Sequence, residues 1–261
     1  MRHAVNLPPF APPETLVSLA VDAERAGWDG VFFWDHMTWL PELRLDVHDP
    51  WVLLGAVAVR TERVVLGTMV TPLARRRPWK VAKELTTLDH LSGGRTVLGV
   101  GLGAPPDAEF AAFGEPSDAR HRANVLDEGL AVLDGLLRGR VDHDGEHFEV
   151  HTELLPRPVQ SPRPPIWVAG ESPHRRPLRR ALGWDGFVPL SVGGALTPEQ
   201  VADYLDGVER PPGWDVVSVH MAGHPARDYE KAGVTWLVTG IDPEGGWVDE
   251  LRASIRRGPR D

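Results

Sequence analysis

Residues 23–36 have the sequence AERAGWDGVFFWDH, in which a helical pattern gives way to a short, continuous apolar run. The run at 30–34 contains no polar residue, which is typical of a parallel strand whose two faces are both covered by helices. Gly27 ends the helical pattern, because glycine commonly follows the last turn of a helix. Asp35 and His36 come directly after the run, so the stretch predicts a helix, a buried strand and a polar strand end.

Further short apolar runs occur on both sides of this stretch, and helical patterns separate them. The eight predicted strands cover residues 4–7, 30–34, 64–70, 96–100, 166–169, 186–190, 216–219 and 235–238. The clearest predicted helices cover residues 13–26, 49–60, 78–91 and 118–137, and another begins at Thr197. Regular alternation of strand and helix predicts an α/β fold, a (β/α)8 TIM barrel. An open, doubly wound sheet is the alternative architecture.

The chain length and one irregular stretch define the expected domain organisation. A chain of 261 residues fits one barrel, so we expect a single domain over residues 1–261. Residues 139–165 break the alternation, since they combine an Asp144-Gly145 turn signal with many prolines. We therefore predict a short hairpin inserted between the fourth and fifth strands of the barrel.

Composition and charge disfavour several classes of function. The net charge of −9 argues against nucleic acid as a partner, because an acidic protein repels the phosphate backbone. The chain has no cysteine, which excludes disulfides, thiolate metal sites and cysteine nucleophiles. No apolar run reaches membrane-spanning length and no secretion signal precedes the first strand, so no membrane and a cytoplasmic location are expected. His143, His147 and His151 lie in the predicted hairpin, so no metal site is expected.

The active groups of such a barrel lie at the carboxyl ends of its strands, which selects candidate residues by position. At the first four strands the candidates are Asn6, His36, Val70, Thr71, Gly101 and Gly103. At the next two strands they are Gly170, Glu171, Ser172, Ser191 and Gly193. His36 is the strongest candidate, because an imidazole can transfer a proton near neutral pH. Trp39 follows shortly after it and could pack against a flat ring.

Several segments resemble the luciferase-like family of flavin- and F420-dependent oxidoreductases. They are residues 23–36, 49–50, 58–68, 88–95, 98–103, 109–110, 113–114, 158–162 and 165–170. The resemblance implies a bacterial luciferase-like barrel that is an enzyme, either a monooxygenase or an oxidoreductase that transfers a hydride. It leaves open whether the cofactor is FMN or coenzyme F420. It also implies a small organic substrate and a possible homodimer.

The resemblance also implies roles for the candidate residues. In the family, the histidine that matches His36 lies close to the flavin ring, which makes His36 the expected catalytic residue. A bulged peptide near Val70 and Thr71 would press on the ring, and Gly101 and Gly103 would let the backbone approach it closely. Residues 102–104 are Leu, Gly and Ala, so the glutamate that some deazaflavin-dependent relatives carry there is absent.

The remaining candidates are expected to bind the cofactor at its edges. Asn6 would contact the cofactor, and Trp39 would pack against its ring. The phosphate is expected at the residues that follow the fifth and sixth strands, since barrels of this kind commonly bind phosphate in that region. These residues are Gly170, Glu171, Ser172, Ser191 and Gly193, with Arg175 and Arg176 nearby as sources of positive charge. The alternatives to this function are a flavin-binding barrel without turnover and an unrelated TIM-barrel isomerase or lyase.

Overall fold

Parallel strands form a closed barrel within the part of the chain that the structure describes, residues 1–192 and 194–259. The structure is a computed structural model, and the candidate residue Gly193 lies outside the described residues. The strands are β1 (Arg2–Leu7), β2 (Gly30–Phe33), β3 (Val65–Pro72), β4 (Thr96–Gly101), β5 (Arg140–Asp144), β6 (Glu149–Glu153), β7 (Ile166–Glu171), β8 (Gly186–Leu190), β9 (Asp215–Val219) and β10 (Trp236–Thr239). The barrel has the order β1-β10-β9-β8-β7-β4-β3-β2, and β1 pairs with both β2 and β10. The ring is therefore closed, which confirms the predicted (β/α)8 barrel and excludes the open sheet.

Helices connect the barrel strands and cover the outside of the ring. They are α1 (Pro13–Arg25), α2 (Pro50–Ala58), α3 (Pro78–Ser92), α4 (Pro106–Glu109), α5 (Ala119–Leu137), α6 (Arg175–Ala181), α7 (Pro198–Leu205), α8 (Ala226–Lys231) and α9 (Trp247–Arg257). Two of these helices have the N-cap residues that the sequence indicated. Asp49 accepts a hydrogen bond from the Val52 N–H at 3.0 Å at the start of α2, and Thr197 forms a capping box with Gln200 at the start of α7. Such caps satisfy amide groups that the first turn of a helix leaves unpaired.

The predicted hairpin lies between β4 and β7, the fourth and fifth strands of the barrel. β5 and β6 pair antiparallel with each other and form a sheet separate from the barrel. Glu128 of α5 accepts hydrogen bonds from the N–H groups of His147 at 2.9 Å and Phe148 at 2.6 Å, and so ties the turn of the hairpin to the barrel. Among the described residues, no helix has the length and apolar character needed to cross a membrane.

Aromatic side chains fill the inside of the barrel. Phe32, Trp167 and Trp236 are fully buried, and their ring centroids lie 5.4 to 6.1 Å apart. Small and branched residues from the other strands pack around them in the same inner cluster. Because the barrel interior is filled in this way, a ligand can bind only above it, at the rim where the strands end.

Two charged side chains fix the opposite, amino-terminal end of the barrel. Glu24 at the end of α1 accepts from the N–H groups of Glu62 at 2.9 Å, Arg63 at 2.6 Å and Val64 at 3.0 Å. Arg95 donates to the carbonyl groups of Ala58, Thr61 and Val64. The turn that leads into β3 is therefore held by two half-buried charged side chains, one binding its N–H groups and the other its carbonyl groups.

Candidate active site

Asn6 and Glu171 face the mouth of the barrel. Ala4 and Ala169 belong to the inner cluster, and a side chain two residues further along a strand points to the same side. Asn6 on β1 is only 6% exposed, and its Oδ1 atom has no hydrogen-bond partner. Glu171 on β7 is exposed. The rim thus offers a buried, unpaired hydrogen-bond acceptor on one side and a carboxylate on another.

An aromatic cluster that includes His36 follows the end of β2. The ring centroids of His36 and Trp39 lie 4.5 Å apart, and Trp34 packs against both at 6.0 and 5.3 Å. Phe10, from the segment after β1, completes the cluster at 5.8 Å from Trp34 and 6.4 Å from Trp39. The structure therefore brings the two ring residues that the sequence selected, His36 and Trp39, into direct contact.

Glu109 at the end of α4 is a buried carboxylate beside this cluster. It accepts hydrogen bonds from the N–H groups of Met37 at 3.0 Å, Thr38 at 3.1 Å and Trp39 at 2.9 Å, and also pairs with Arg75. Its Oε1 atom lies 3.5 Å from Nδ1 of His36. Burial alone would raise its pKa, but His36 and the N–H groups outweigh that effect and lower the pKa of Glu109 to about 2. The carboxylate is therefore ionised at neutral pH.

A second buried carboxylate, Asp35, links β2 to β3. It accepts from the Thr71 hydroxyl at 2.8 Å, from Arg75 at 3.1 Å and from Arg76 at 2.7 Å. Burial on its own would lower the pKa of Arg76, but Asp35 reverses this and the pKa of Arg76 is raised. Because Arg75 contacts both Asp35 and Glu109, the two carboxylates share one network of charge beneath His36.

The backbone of β3 is irregular at the predicted position. Its register against β4 shifts between Thr68 and Thr71, and the peptide bond between Met69 and Val70 is cis. The Thr71 side chain is fully buried in the hydrogen bond to Asp35, whereas the Val70 side chain is half-buried beside the inner cluster. Of the two predicted residues, Val70 lies toward the barrel interior, and Thr71 belongs to the network that supports the rim.

The glycines after β4 are required by packing within the protein. A Cβ atom on Gly101 would lie 2.8 Å from Cγ2 of Val70, so the bulged strand lies directly against this position. Gly103 has φ +81°, and a Cβ atom there would lie 2.7 Å from Cβ of Pro72 and 2.9 Å from the Phe110 ring. The fold therefore needs glycine at both positions for its own packing, whether or not a ring binds beside them. Their contact with a cofactor stays a prediction.

The candidates at β7 and β8 lie apart from the His36 cluster. Gly170 faces α6, since a Cβ atom there would lie 2.3 Å from Cβ of Pro177. The backbone N–H of Ser172 donates to Leu190 at 2.8 Å, and the Ser191 hydroxyl donates to Ala195 at 2.8 Å. Both residues thus have partners within the protein, and their predicted role in binding phosphate stays a prediction.

The arginines of α6 already have protein partners. Arg175 donates to the carbonyl of Tyr204 at 2.6 Å, and Arg176 pairs with Asp127 at 3.1 Å. Asp127 also pairs with Arg180. The positive charge of Arg176 is thereby offset by a carboxylate of α5, so these arginines contribute less to anion binding than the sequence suggested.

Sequence reasoning missed Glu109, Arg75, which pairs with it, and Arg76, which pairs with Asp35. The segment containing Glu109 was noted only for its resemblance, because its partners at residues 36–39 lie far away along the chain. The available signal was the run Arg75-Arg76-Arg77 directly after the third strand. A basic run at a strand end, in an acidic protein, indicates that carboxylates lie near the same rim.

Other clusters and cavities lie away from the rim. Among the described residues, the group with the spacing of metal ligands is Asp144, Glu149 and His151, whose ligand atoms lie within 4.8 Å of one another. All three are exposed on the hairpin, and His151 pairs with Asp142 and Asp144. Two surface cavities of about 550 and 320 Å³ lie beside α7 and beside α9, and no described candidate residue lines either of them.

Comparison with known proteins gives consistent matches. A family model described as luciferase-like monooxygenase matches residues 1–211. An F420-dependent glucose-6-phosphate dehydrogenase of Beutenbergia cavernae is 37% identical over 187 residues, which are 70% of this chain and 54% of that protein. A 4-hydroxyprotoasukamycin monooxygenase of Streptomyces nodosus subsp. asukaensis is 34% identical over 198 residues, 72% of this chain and 51% of that protein. The chain thus spans about half the length of these relatives.

A solved structure extends the match to the whole barrel. The coenzyme F420-dependent tetrahydromethanopterin reductase from Methanopyrus kandleri superposes with a TM-score of 0.78 and covers 98% of this chain and 96% of that chain. Its sequence identity is 18%, so this similarity concerns the fold alone.

Proposed function

The chain belongs to the luciferase-like monooxygenase family, and on that premise we propose that it is an oxidoreductase that binds FMN or F420 at the rim, beside His36, and acts on a small organic substrate. Membership of the family confirms the resemblance drawn from the sequence. The observation that carries the proposal is the packing of His36 against Trp39 at the carboxyl end of β2, with centroids 4.5 Å apart. In a barrel, this end is where ligands react.

The rim residues fit a flat heterocycle with polar edges. Asn6 has a buried acceptor, Oδ1, that no protein group satisfies, and a flavin or deazaflavin ring carries N–H donors. Gly101 has no side chain, and the Val70 side chain packs directly against it, so this part of the wall is apolar. Trp34 and Trp39 supply further apolar surface. The unpaired acceptor and the apolar surfaces thus suit such a cofactor.

When bound, the cofactor would supply the electron pair or hydride for the reaction. The chain supplies the surroundings. Asn6 would accept a hydrogen bond from the ring, and the indoles of Trp34 and Trp39 would keep water from one face. His36 would hold or donate a proton: Nδ1 is buried toward Glu109, so the exposed part of its ring, which is 15% accessible, faces away from that carboxylate.

The relatives support both cofactors. One is named as an F420-dependent dehydrogenase and another as a monooxygenase, at similar identity to this chain. We therefore keep oxygenation of the substrate and transfer of a hydride as the two forms of the proposed reaction. We propose further that the chain acts as a single domain, without nucleic acid and as a monomer or homodimer.

Titration with each cofactor tests the proposal. The purified protein would be titrated with reduced FMN under anaerobic conditions and with F420, and binding followed by cofactor absorbance and fluorescence. We expect at least one to bind, and we expect His36→Ala to slow turnover by about 100-fold or more, as for loss of a positioned proton donor. His151→Ala, on the exposed hairpin, serves as the matched control and should behave as the unaltered protein.

The outcomes separate the alternatives. Failure to bind either cofactor would favour a different chemistry on this barrel, that of an isomerase or lyase. A protein that binds one tightly, but whose rates do not respond to His36→Ala, would be a binding barrel without the proposed chemistry. Either result would overturn the proposal.

A further inference from the structure

Glu109 occupies a turn whose amide groups all point at its carboxylate. We propose that Glu109 is the positioning residue for His36 and Trp39: it acts as a built-in anion that fills this turn and so fixes both rings at the rim. The inference rests on the proposed function in one respect only, namely that the two rings face the cofactor. The arrangement of the turn itself is independent of that function.

The turn has the geometry of an anion-binding nest. The consecutive N–H groups of Met37, Thr38 and Trp39 lie 3.0, 3.1 and 2.9 Å from the Glu109 oxygens. Trp39 has φ +59°, in the left-handed region that residues other than glycine rarely adopt. A left-handed residue in a turn can bring successive N–H groups to the same side, which creates a concave site for an anion. The unusual backbone of Trp39 is therefore explained by what its N–H group binds.

The carboxylate is tightly enclosed by protein groups. Glu109 is only 1% exposed, and the Arg75 guanidinium pairs with it in addition to the N–H groups of the turn. A second tie joins the same segments, since the Thr38 hydroxyl donates to the carbonyl of Ala108 at 3.2 Å. With its pKa lowered to about 2, Glu109 stays ionised, so the nest is filled by a negative charge at neutral pH.

One carboxylate thus controls both rings. It holds the backbone N–H of Trp39 at 2.9 Å and lies 3.5 Å from Nδ1 of His36. If the anion were removed, these N–H groups would lose their partner within the protein, and Trp39 would lose the contact that favours its left-handed backbone. We expect the turn to relax, which would separate the His36 and Trp39 rings.

The same device occurs at the other end of the barrel and supplies a matched control. Glu24 fills a comparable turn formed by the N–H groups of Glu62, Arg63 and Val64, and its pKa is also lowered, burial being outweighed by these N–H groups. Glu24 lies at the amino-terminal end, far from His36. Replacement of Glu24 therefore removes an anion from a nest without touching the rim.

The experiment compares Glu109→Ala, Glu109→Gln and Glu24→Gln with the unaltered protein. Amide signals of Met37, Thr38 and Trp39 would be followed by ¹⁵N–¹H correlation spectra, and dissociation constants measured for FMN and F420. We expect Glu109→Ala to shift all three amide signals and to weaken cofactor binding about 10- to 100-fold, the loss expected for hydrogen bonds to a charged group. Added formate, a free carboxylate, should restore the signals and the binding, whereas formamide should not.

Glu24→Gln should lower thermal stability but leave the three amide signals and cofactor binding unchanged. If Glu109→Ala does not fold, Glu109→Gln keeps the size of the side chain and removes the charge, and the same shifts are expected in weaker form. Unchanged amide signals and binding in the Glu109 variants would overturn the inference, as would an equal loss of binding in Glu24→Gln. If the unaltered protein binds neither cofactor, the proposed function fails, while the amide signals and their response to formate still decide the role of Glu109.

Discussion

Lowering the pH should reduce the free energy of unfolding of this protein, partly through protonation of Glu109, and the size of the effect follows from the pKa of Glu109. That pKa is lowered from 4.5 to about 2 in the folded chain, and the unfolded chain exposes the same carboxyl to water. In the window between these values the unfolded state binds the extra proton, so stability is lost as the pH falls. Above about pH 5 the contribution is fully present.

The total contribution is about 3 kcal/mol, because each unit of pKa difference corresponds to about 1.4 kcal/mol. Of this, about 2 kcal/mol is lost by about pH 3, and the remainder at lower pH. Glu109→Gln cannot take up this proton. The difference in free energy of unfolding between the unaltered protein and Glu109→Gln should therefore shrink as the pH is lowered, whatever its value at neutral pH.

Urea denaturation, followed by far-ultraviolet circular dichroism, measures the effect at several values between about pH 6 and pH 3. Other carboxylates with lowered pKa values, such as Asp127 and Asp134, contribute equally to both proteins and cancel in the difference. Glu115→Gln, at an exposed residue, is the control for the same substitution outside a nest. A difference for Glu109→Gln that stays constant with pH would refute the reasoning, since it would mean that the nest does not favour the ionised form.

Three further changes test the rim. Gly103→Ala should destabilise the fold by about 2 to 4 kcal/mol in thermal unfolding, because the backbone has positive φ there and the new Cβ atom would lie less than 3 Å from Pro72 and Phe110. The control is Gly213→Ala, at φ +74° with open space around it, which should cost only about 1 kcal/mol. Trp39→Gly and Trp39→Ala lose the same ring, but the glycine variant should be more stable by about 1 kcal/mol because φ at this position is +59°. Asn6→Leu should leave thermal stability unchanged or raise it by about 1 kcal/mol, since Oδ1 of Asn6 has no hydrogen-bond partner. The same variant should bind the cofactor more weakly in a fluorescence titration, and binding equal to that of the unaltered protein would exclude Asn6 from the site.

The fold was predictable because its strands are continuous apolar runs, a signal contained within a few neighbouring residues. Each predicted barrel strand overlaps the observed one, with ends that differ by at most two residues; β3, for example, extends to Pro72 instead of ending at residue 70. The bulge explains this difference. It shifts the register between Thr68 and Thr71, so the chain returns to pair with β4 after the apolar pattern has ended.

The site was predictable only in part, because its contacts join distant segments. The barrel rule places His36 and Asn6 correctly at the rim, since it depends only on where a strand ends. It cannot indicate that Gly170 faces α6, or that Gly103 is required by Pro72 and Phe110. Those facts depend on helix packing, which periodicity within one segment does not encode.

Glutamate in a nest is a recurring means by which this chain holds its turns. Glu24 fixes the turn before β3, Glu128 fixes the hairpin turn through His147 and Phe148, and Glu109 fixes the turn after β2. The three differ in what the turn carries. The turn held by Glu24 joins α2 to β3 and the turn held by Glu128 joins β5 to β6, whereas the turn held by Glu109 carries Trp39 and directly follows His36. A glutamate on a neighbouring helix can reach such a turn without altering the strand, so the barrel stays regular while contacts between a helix and a loop shape the rim. This is why candidate residues at the rim could be selected by position, while Glu109, whose contacts join distant segments, had to be found in the structure.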